Sequence, residues 1–309
     1  MDYMGQSVSR ASDNDKSSIV DLFITSDPRH NRSIAYYDYS NKSVYGSSVC
    51  VVAKNAADRV IGHYSILPLK FKYLNKIYYA GYAQQAIIHK KYRNLKLISE
   101  LHEFAIDQVR KNIDFIFAFS NDSFADVKIK LFGWNDLGKF HSDVIDLRKV
   151  DFEINHKIES LNFFEHNFES NQNRVSIIKS KEYLNHRLLR HPINHYKTFI
   201  IKDVNNSIAG YISLKFYKNN DELIGHFVDF EASSDDVLKS LVSHAKEYFI
   251  FYGVYKVVFW NRAEYRKLFT PFIVDKGFVS NFIVKDISNN SEILNKELWN
   301  LPMILSDAF

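Results

Sequence analysis

The sequence predicts an α/β (α+β) protein of two tandem lobes, each a mixed, largely antiparallel sheet flanked by helices. Two observations predict this. Segments of period-two hydrophobicity alternate with segments of helical period, and the order meander, long helix, buried strand, short helix occurs twice. The 309 residues also exceed an ordinary single domain, and two such units fill the length, at residues 1–150 and 151–309.

In the first lobe, Val49 to Lys54 reads as a strand, Asn55 to Asp58 as its turn, and Val60 to Tyr73 as a longer strand bent at Pro68. Leu74-Asn75-Lys76 turns the chain into a third strand, Ile77 to His89, completing an antiparallel meander. Leu97, Leu101, Phe104, Ala105 and Val109 recur at helical spacing, so Leu97 to Lys111 is an amphipathic helix. Ile113 to Ser120 is a nearly continuous apolar strand of the kind covered on both faces. Ser123 is placed to cap a short helix, Phe124 to Leu131, that stops at Gly133. Trp134 leads into a closing strand near Leu137 to Leu147.

Asp151 to Asn173 is polar and irregular and reads as the connection between lobes. A helix follows, Lys181 to Arg190, stopped by His191-Pro192. Tyr196 to Lys202, Ile208 to Lys218 and Leu223 to Phe230 repeat the meander, and Val237 to Tyr252 the long helix. Val254 to Trp260 repeats the buried strand and Ala263 to Val274 the short helix, so Asn261 with Gly277-Phe278 mirrors Asn121 with Gly133-Trp134.

Composition narrows the function classes. A 46% hydrophobic chain with 15% aromatic residues has enough apolar area to offset ordering entropy, which excludes a disordered protein. Only 10 Gly leave little material for a glycine-built phosphate loop. Cys50 is the single cysteine, which excludes an internal disulfide or thiolate metal site and favours a reducing compartment. A net charge of +4 is too even to argue for nucleic acid, yet compatible with a polyanionic small molecule. Met1 to Ser18 lacks the apolar core of a signal peptide, and the run Phe115 to Phe119 is far short of the roughly 20 residues of a membrane span. A cytoplasmic protein with no integral membrane segment is expected, and a monomer is compatible with the sequence.

The stretch Gln85-Ala86-Ile87-Ile88-His89-Lys90-Lys91-Tyr92-Arg93-Asn94-Leu95-Lys96-Leu97-Ile98 resembles the fourth strand and pyrophosphate loop of the GNAT acyltransferase superfamily. That loop has Arg or Gln, two residues, Gly, one residue, then Gly or Ala; Arg93 fits, while Lys96 and Ile98 occupy the glycine places. Asn121 through Gly133-Trp134 resembles the fifth-strand Asn, following helix and Gly-aromatic ending. Three blocks resemble, more narrowly, tandem GNAT proteins of bacterial surface-polysaccharide clusters. They are Phe119 to Ser123 with Lys130 to Trp134, Tyr183 to Arg187 with His191-Pro192, and Trp299 to Phe309 with Ser306-Asp307. The resemblance spans nearly the whole chain. It implies two tandem GNAT-type lobes, acyl-CoA as cosubstrate, no metal, and acylation of the amine of a dTDP- or UDP-linked aminodeoxyhexose for lipopolysaccharide O-antigen or capsule. The sugar implied is a 3-amino-3,6-dideoxy or 4-amino-4,6-dideoxy hexose, and the acyl group acetyl or a short hydroxyacyl such as 3-hydroxybutanoyl.

An acyl-CoA presents a diphosphate and a ribose phosphate that need donors. A strand feeding a helix supplies backbone N–H groups and the positive helix end. The expected cofactor-binding residues are Ile87 and Ile88 at the strand end, Arg93, Asn94, Leu95, Lys96, Leu97 and Ile98 at the turn, and Ser123 after the next strand. His89, Lys90 and Lys91 add charge, and a solvated basic turn is the alternative reading of the same residues. The corresponding second-lobe turn carries Asp229, Glu231, Asp235 and Asp236, which repel a diphosphate. One coenzyme site per chain is therefore expected, in the first lobe, with the second lining the acceptor side of a cleft between lobes.

In GNAT enzymes the fourth strand often offers a Glu base, and a Tyr acid stands four residues before the Gly-aromatic pair. Here Tyr82-Ala83-Gln84-Gln85 holds no carboxylate, and Ile129 replaces the tyrosine. Positioning is then expected to dominate. A sugar amine resembling an α-amino group, with pKa near 8, is roughly one-tenth neutral at pH 7. Holding it against the thioester contributes on the order of 7 kcal/mol. The N–H groups near Ile87 and Ile88 are the candidate oxyanion site, with Gln85 orienting amine or water and Asn121 the second catalytic candidate by resemblance. Substrate-binding candidates are Tyr82, Gln84, Arg187 and Trp260, against the commoner roles of core aromatics and a solvated arginine. His63 is either a base or, three times in four, an ordinary strand residue by the ~3:1 rarity of catalytic histidines. His186, His191 and His195 flank a proline turn and are not read as a zinc site. Two other functions stay open: transfer to a peptide or aminoacyl acceptor, as in tandem-lobed peptidoglycan enzymes, and a non-catalytic protein that binds CoA or a sugar nucleotide.

Overall fold

The structure, a computed structural model, describes residues 6–26, 33–168, 173–219, 222–260, 262–289 and 291–306. Asn261 and the Asp307–Phe309 ending lie outside the described residues. Two compact units form, each assembled from separate stretches of chain. Unit 1 comprises 1–71, 76–138 and 281–295; unit 2 comprises 72–75, 139–280 and 296–309.

Unit 1 begins with β1 (Ser7–Arg10), α1 (Lys16–Ser26), α2 (Ile34–Ser40) and a small hairpin, β2 (Lys42–Ser43) and β3 (Gly46–Ser47). β4 (Val49–Lys54), β5 (Val60–Tyr73) and β6 (Lys76–Ile88) are the expected meander. α3 (Leu95–Val109) packs Leu97, Leu101 and Ala105 into a core shared with Val51, Ile61, Ile116 and Ile283. β7 (Phe115–Ser120), α4 (Asp122–Phe132) and β8 (Asn135–Asp146) follow. The sheet order is β1-β4-β5-β6-β7, antiparallel except for the parallel β6–β7 pair, and residues 281–286 close it antiparallel to β7. Gly133 has φ +66 and ends α4 with a left-handed turn, as expected of a glycine stop.

Unit 2 repeats this plan. β9 (Ile158–Leu161) pairs β11 (Lys197–Lys202), which leads through β12 (Ile208–Asn219) to β13 (Glu222–Ala232), all antiparallel. Between β9 and β11 lie β10 (Val175–Ile177), α5 (Lys181–Leu184) and a π-turn over Asn185–Leu189. α6 (Asp235–Phe251) covers the sheet through Val237, Leu241, Ala245 and Phe249. β14 (Lys256–Trp260) runs parallel to β13, and residues 142–146 of β8 close the sheet antiparallel to β14. α7 (Arg266–Phe269), β15 (Ile273–Asp286) and β16 (Trp299–Asn300), which pairs β10, end the described chain.

The two-lobed expectation holds in class, and four details change. Residues 142–146 hydrogen-bond β14 while 281–286 hydrogen-bond β7, so neither unit coincides with the halves 1–150 and 151–309. The stretch Asp151 to Asn173 contains strand β9. The expected helix Ala263 to Val274 is broken into a 3-10 turn, the single turn α7 and a second 3-10 turn holding Pro271, whose ring cannot continue a helix. Gly277 sits inside β15 rather than at a helix end; it is needed because an added Cβ would overlap Ser142 Oγ.

Candidate functional site

In unit 1, β6 and β7 pair through Ala80–Phe115, Gly81–Ile116 and Tyr82–Phe117, then part, while β6 runs on to Ile88 and β7 to Ser120. The point of divergence is marked by Gln85, whose φ of 54 is left-handed, a conformation costing a non-glycine residue about 1–2 kcal/mol. Hydrogen bonds hold it there. Asn41 Nδ2 donates to Gln85 Oε1 at 2.9 Å, Gln85 Nε2 donates to Ser40 Oγ at 2.7 Å, and His63 Nδ1 meets the Gln85 carbonyl at 2.9 Å. Because a carbonyl only accepts, that nitrogen carries the proton, and His63 Nε2 accepts from Tyr37 OH at 3.2 Å. Gln84 Nε2 donates to the Ser40 carbonyl at 2.7 Å. Burial pushes up the pKa of the Tyr37 hydroxyl and the neighbouring Cys50 thiol, so both remain protonated at neutral pH.

Gln84, Gln85 and His63 are thus buried fixtures that shape the strand end. His63 is fully buried, consistent with its strand reading. The residues that sequence reasoning missed are Tyr37 and Ser40 on α2 and Asn41 at its C-terminal cap. Their one signal was Ser33, whose side chain caps α2 by accepting from Tyr36 N.

Beyond Ile88 the chain makes a 3-10 turn over Lys90–Tyr92, and Asn94 caps α3, its Oδ1 accepting from Leu97 N at 2.8 Å. No acidic residue stands in the first turn of α3. Arg93 donates Nε to the Ile88 carbonyl at 3.0 Å, fixing the turn to the strand end. Among the described residues no carboxylate pairs with Lys90, Lys91 or Arg93, whereas the largely exposed Lys96 lies 3.8 Å from Glu100. Leu95 is exposed, and Ile88 and Leu97 point into the core. On the facing strand end, Asn121 caps α4 by accepting from Phe124 N at 2.9 Å, and Ser123 Oγ donates to the same oxygen at 3.1 Å. The cap is therefore Asn121, not Ser123. Asn121 accepts from the N–H three residues ahead, the same capping geometry that Ser33 makes to Tyr36 at the start of α2.

The equivalent junction of unit 2 is built differently. β13 carries a register shift opposite Ser213 and Leu214, and Ser234 caps α6 with Asp235 and Asp236 in its first turn. Under it, Lys179 Nζ contacts Asp229 at 2.6 Å, Glu231 at 2.9 Å and Tyr211 OH at 2.8 Å. Arg262 adds an ion pair to Glu231. Lys179 is 2% and Asp229 1% exposed. Nearby cations hold the Glu231 carboxyl below its usual pKa against the opposing effect of burial.

Of the substrate-binding candidates, Tyr82 is buried and stacked on Phe117, with ring centroids 5.0 Å apart. Trp260 is buried beside Phe140 in unit 2. Arg187 donates to the Ile304 carbonyl, which joins the second and third motif blocks within unit 2 and makes it a structural tie rather than a solvated side chain. The site residues therefore divide: Gln84, Gln85, Ile87, Ile88, Arg93 to Ile98, Asn121 and Ser123 all belong to unit 1, and Arg187 and Trp260 to unit 2. No group of three or more His, Cys, Asp or Glu side chains among the described residues is arranged to hold a metal ion, and no described helix is long and apolar enough to cross a membrane.

A meander, a strand that parts from its parallel neighbour, and a capped helix at the parting define the fold of the GCN5-related N-acetyltransferases, present here in duplicate. Solved structures agree. A GCN5-related N-acetyltransferase from Anabaena variabilis superposes with TM-score 0.72 at 11% identity, covering 91% of this chain and 73% of that one. A probable N-acyltransferase from Enterococcus faecalis gives TM-score 0.69 at 10% identity over 91% of this chain and 72% of that one. Saccharomyces cerevisiae N-myristoyltransferase with bound myristoyl-CoA gives 0.60 at 11% identity, over 92% and 83%. No family model matches the sequence, and no curated protein does.

Proposed function

We propose that the chain is an acyl-CoA-dependent N-acyltransferase whose acceptor is the amine of a dTDP- or UDP-linked aminodeoxyhexose, in O-antigen or capsule synthesis. The observation that carries the coenzyme half is the diverging end of β6 and β7, with the acid-free, cation-rich start of α3 beside it. The fold's neighbours include an enzyme with myristoyl-CoA bound. In this reading Arg93, Lys96 and the N–H groups of Leu95 and Lys96 hold the diphosphate, Asn94 with Leu97 and Ile98 fixes the helix start around it, and the backbone at Ile87 and Ile88 receives the thioester carbonyl. The acceptor half rests on the sequence resemblance.

The neutral amine attacks the thioester carbon, the C–S bond breaks, and the thiolate takes up the proton that the amine loses, giving an amide and free CoA. Gln85 acts through position, since its side-chain amide is engaged by Ser40 and Asn41 and its strained backbone sets the path of β6. Asn121 and Ser123 shape the opposite wall. Rate comes from holding the amine against the ester, worth on the order of 7 kcal/mol.

The test is thiol release from acetyl-CoA and 3-hydroxybutanoyl-CoA, run against a panel of nucleotide-linked 3-amino and 4-amino sugars. Release with one pairing supports the reading. Tight CoA binding with no release for any pairing would instead identify a binding protein, and release only with peptide or aminoacyl amines would move the acceptor class.

A further inference from the structure

We propose that unit 2 contains a binding site for a diphosphate attached to a ring, of the nucleoside-diphosphate kind. A cavity of about 380 Å³ opens beside β8, the end of β14, and the chain at Lys296. Its volume falls in the range of about 300–1,000 Å³ that small-molecule sites occupy. Lys139, Arg262, Arg266, Lys276 and Lys296 line it, against the carboxylates of Asp143 and Glu297.

Five cations around one small cavity repel one another, and a bound polyanion removes that penalty. Only part of the charge is matched within the chain. Lys276 pairs with Asp143, and Lys296 donates to the Lys139 carbonyl, which carries no net charge. Arg266 is exposed and has no carboxylate partner among the described residues. Arg262, 6% exposed, spends its terminal nitrogens on Glu231, Asn300 and the Phe230 carbonyl, while its buried Nε has no hydrogen-bond partner among the described residues. The wall also offers an aromatic surface. Phe140 is half-buried, packs 5.4 Å from the Trp260 ring, and carries Lys296 Nζ 5.5 Å from its centroid. A flat ring and a phosphate chain are the ligand parts that such a surface and charge recognise together.

The ring-and-diphosphate chemistry is shared by the acceptor's nucleotide and by the nucleotide end of CoA. We assign it to the acceptor, and that clause rests on the function proposed above; affinity for the diphosphate does not. Titration calorimetry on the full chain with UDP, dTDP, CoA and inorganic pyrophosphate separates the sources. Arg266→Glu and Lys296→Glu are expected to weaken UDP or dTDP at least tenfold and leave CoA unchanged, and Arg93→Glu the reverse. Both cavity residues chosen are polar and peripheral, and an unchanged thermal midpoint verifies folding. Equal nucleotide affinity in wild type and both cavity variants, or none in wild type, overturns the site. Pyrophosphate binding as tightly as the nucleotides overturns the ring component, and competition between CoA and UDP overturns the acceptor assignment. Loss of CoA binding in the wild type alone sinks the acyltransferase reading and leaves the nucleotide result standing.

Discussion

The junctions before α3 and before α6 occupy the same place in two copies of one plan, and they carry opposite chemistry. In unit 1, Asn94 caps a helix whose approach holds His89, Lys90, Lys91 and Arg93 and whose first turn has no acid. In unit 2, Ser234 caps a helix that begins Asp235-Asp236, above a buried network of Lys179, Asp229, Glu231 and Arg262. Both helix starts attract negative charge. Unit 2 satisfies that attraction with its own carboxylates, whereas unit 1 places none in the first turn of α3. The two units therefore share a frame, and in unit 2 that frame is internally neutralised.

The largest expected effect separates the two in stability. Lys179→Met leaves buried Asp229 without its cation and Glu231 with Arg262 alone, and is expected to cost about 3–5 kcal/mol, read from the urea midpoint. Lys90→Met at the unit 1 turn should stay within about 0.5 kcal/mol. A loss under about 1 kcal/mol for Lys179→Met would show that the unit 2 network is not structural. Next, Arg93→Glu combined with Lys96→Glu should lower CoA affinity by about tenfold or more, since each charge-assisted hydrogen bond contributes about 1.5–3 kcal/mol. Replacing Asp235 and Asp236 by Asn should leave it unchanged. Unaltered CoA affinity in the Arg93, Lys96 double variant breaks the comparison outright.

Acid sharpens it further. Burial depresses the pKa of His102 in unit 1 and of His191 in unit 2 to about 3, and of His226 in unit 2 to about 4. Their folded values lie below the unfolded value, so the unfolded chain binds protons first. The stability they contribute is complete above about pH 6.5 and drains as pH falls toward the folded values, by about 2 kcal/mol per group at pH 5. Unit 2, with two such groups, should lose protection first in hydrogen exchange at pH 5. His102→Gln, which still accepts from Trp134 Nε1, should flatten the pH profile of unit 1 alone.

The smallest effect concerns the two glycines that the sequence pattern equates. Gly133→Ala should cost about 1 kcal/mol because its φ is left-handed, and Gly133→Asn less, since Asn tolerates that region. Gly277→Ala should cost about as much for a steric reason, and Ser142→Ala should rescue it but not Gly133→Ala. Rescue of neither, measured by thermal midpoint, would mean the two glycines are equivalent after all.

Much of the frame was legible because its signals are local. β4 and β5 match the hydrophobic runs residue for residue, and α3 follows the spacing of Leu97, Leu101 and Ala105. The closing strands were legible as strands but not as partners, because register between residues 142–146 and 256–260 is a long-range choice that no local pattern encodes. At the candidate site the cationic turn was visible in the residue types. The clamp on Gln85 was not, since α2 is short and more than forty positions away in sequence. Tyr82 illustrates the converse, where residue type suggested a ligand surface and packing stacked the ring on Phe117 inside unit 1.

The closure of unit 1 by residues 281–286 sets a timetable for synthesis. β7, Phe-Ile-Phe-Ala-Phe-Ser, has its second neighbour only once residues 281–286 have left the ribosome. Until then an uncharged, aromatic strand presents a bare hydrogen-bonding rim, the kind of surface that recruits other nascent chains. A polypeptide terminated at residue 280 keeps that rim permanently, so it should accumulate as insoluble material or remain with chaperones.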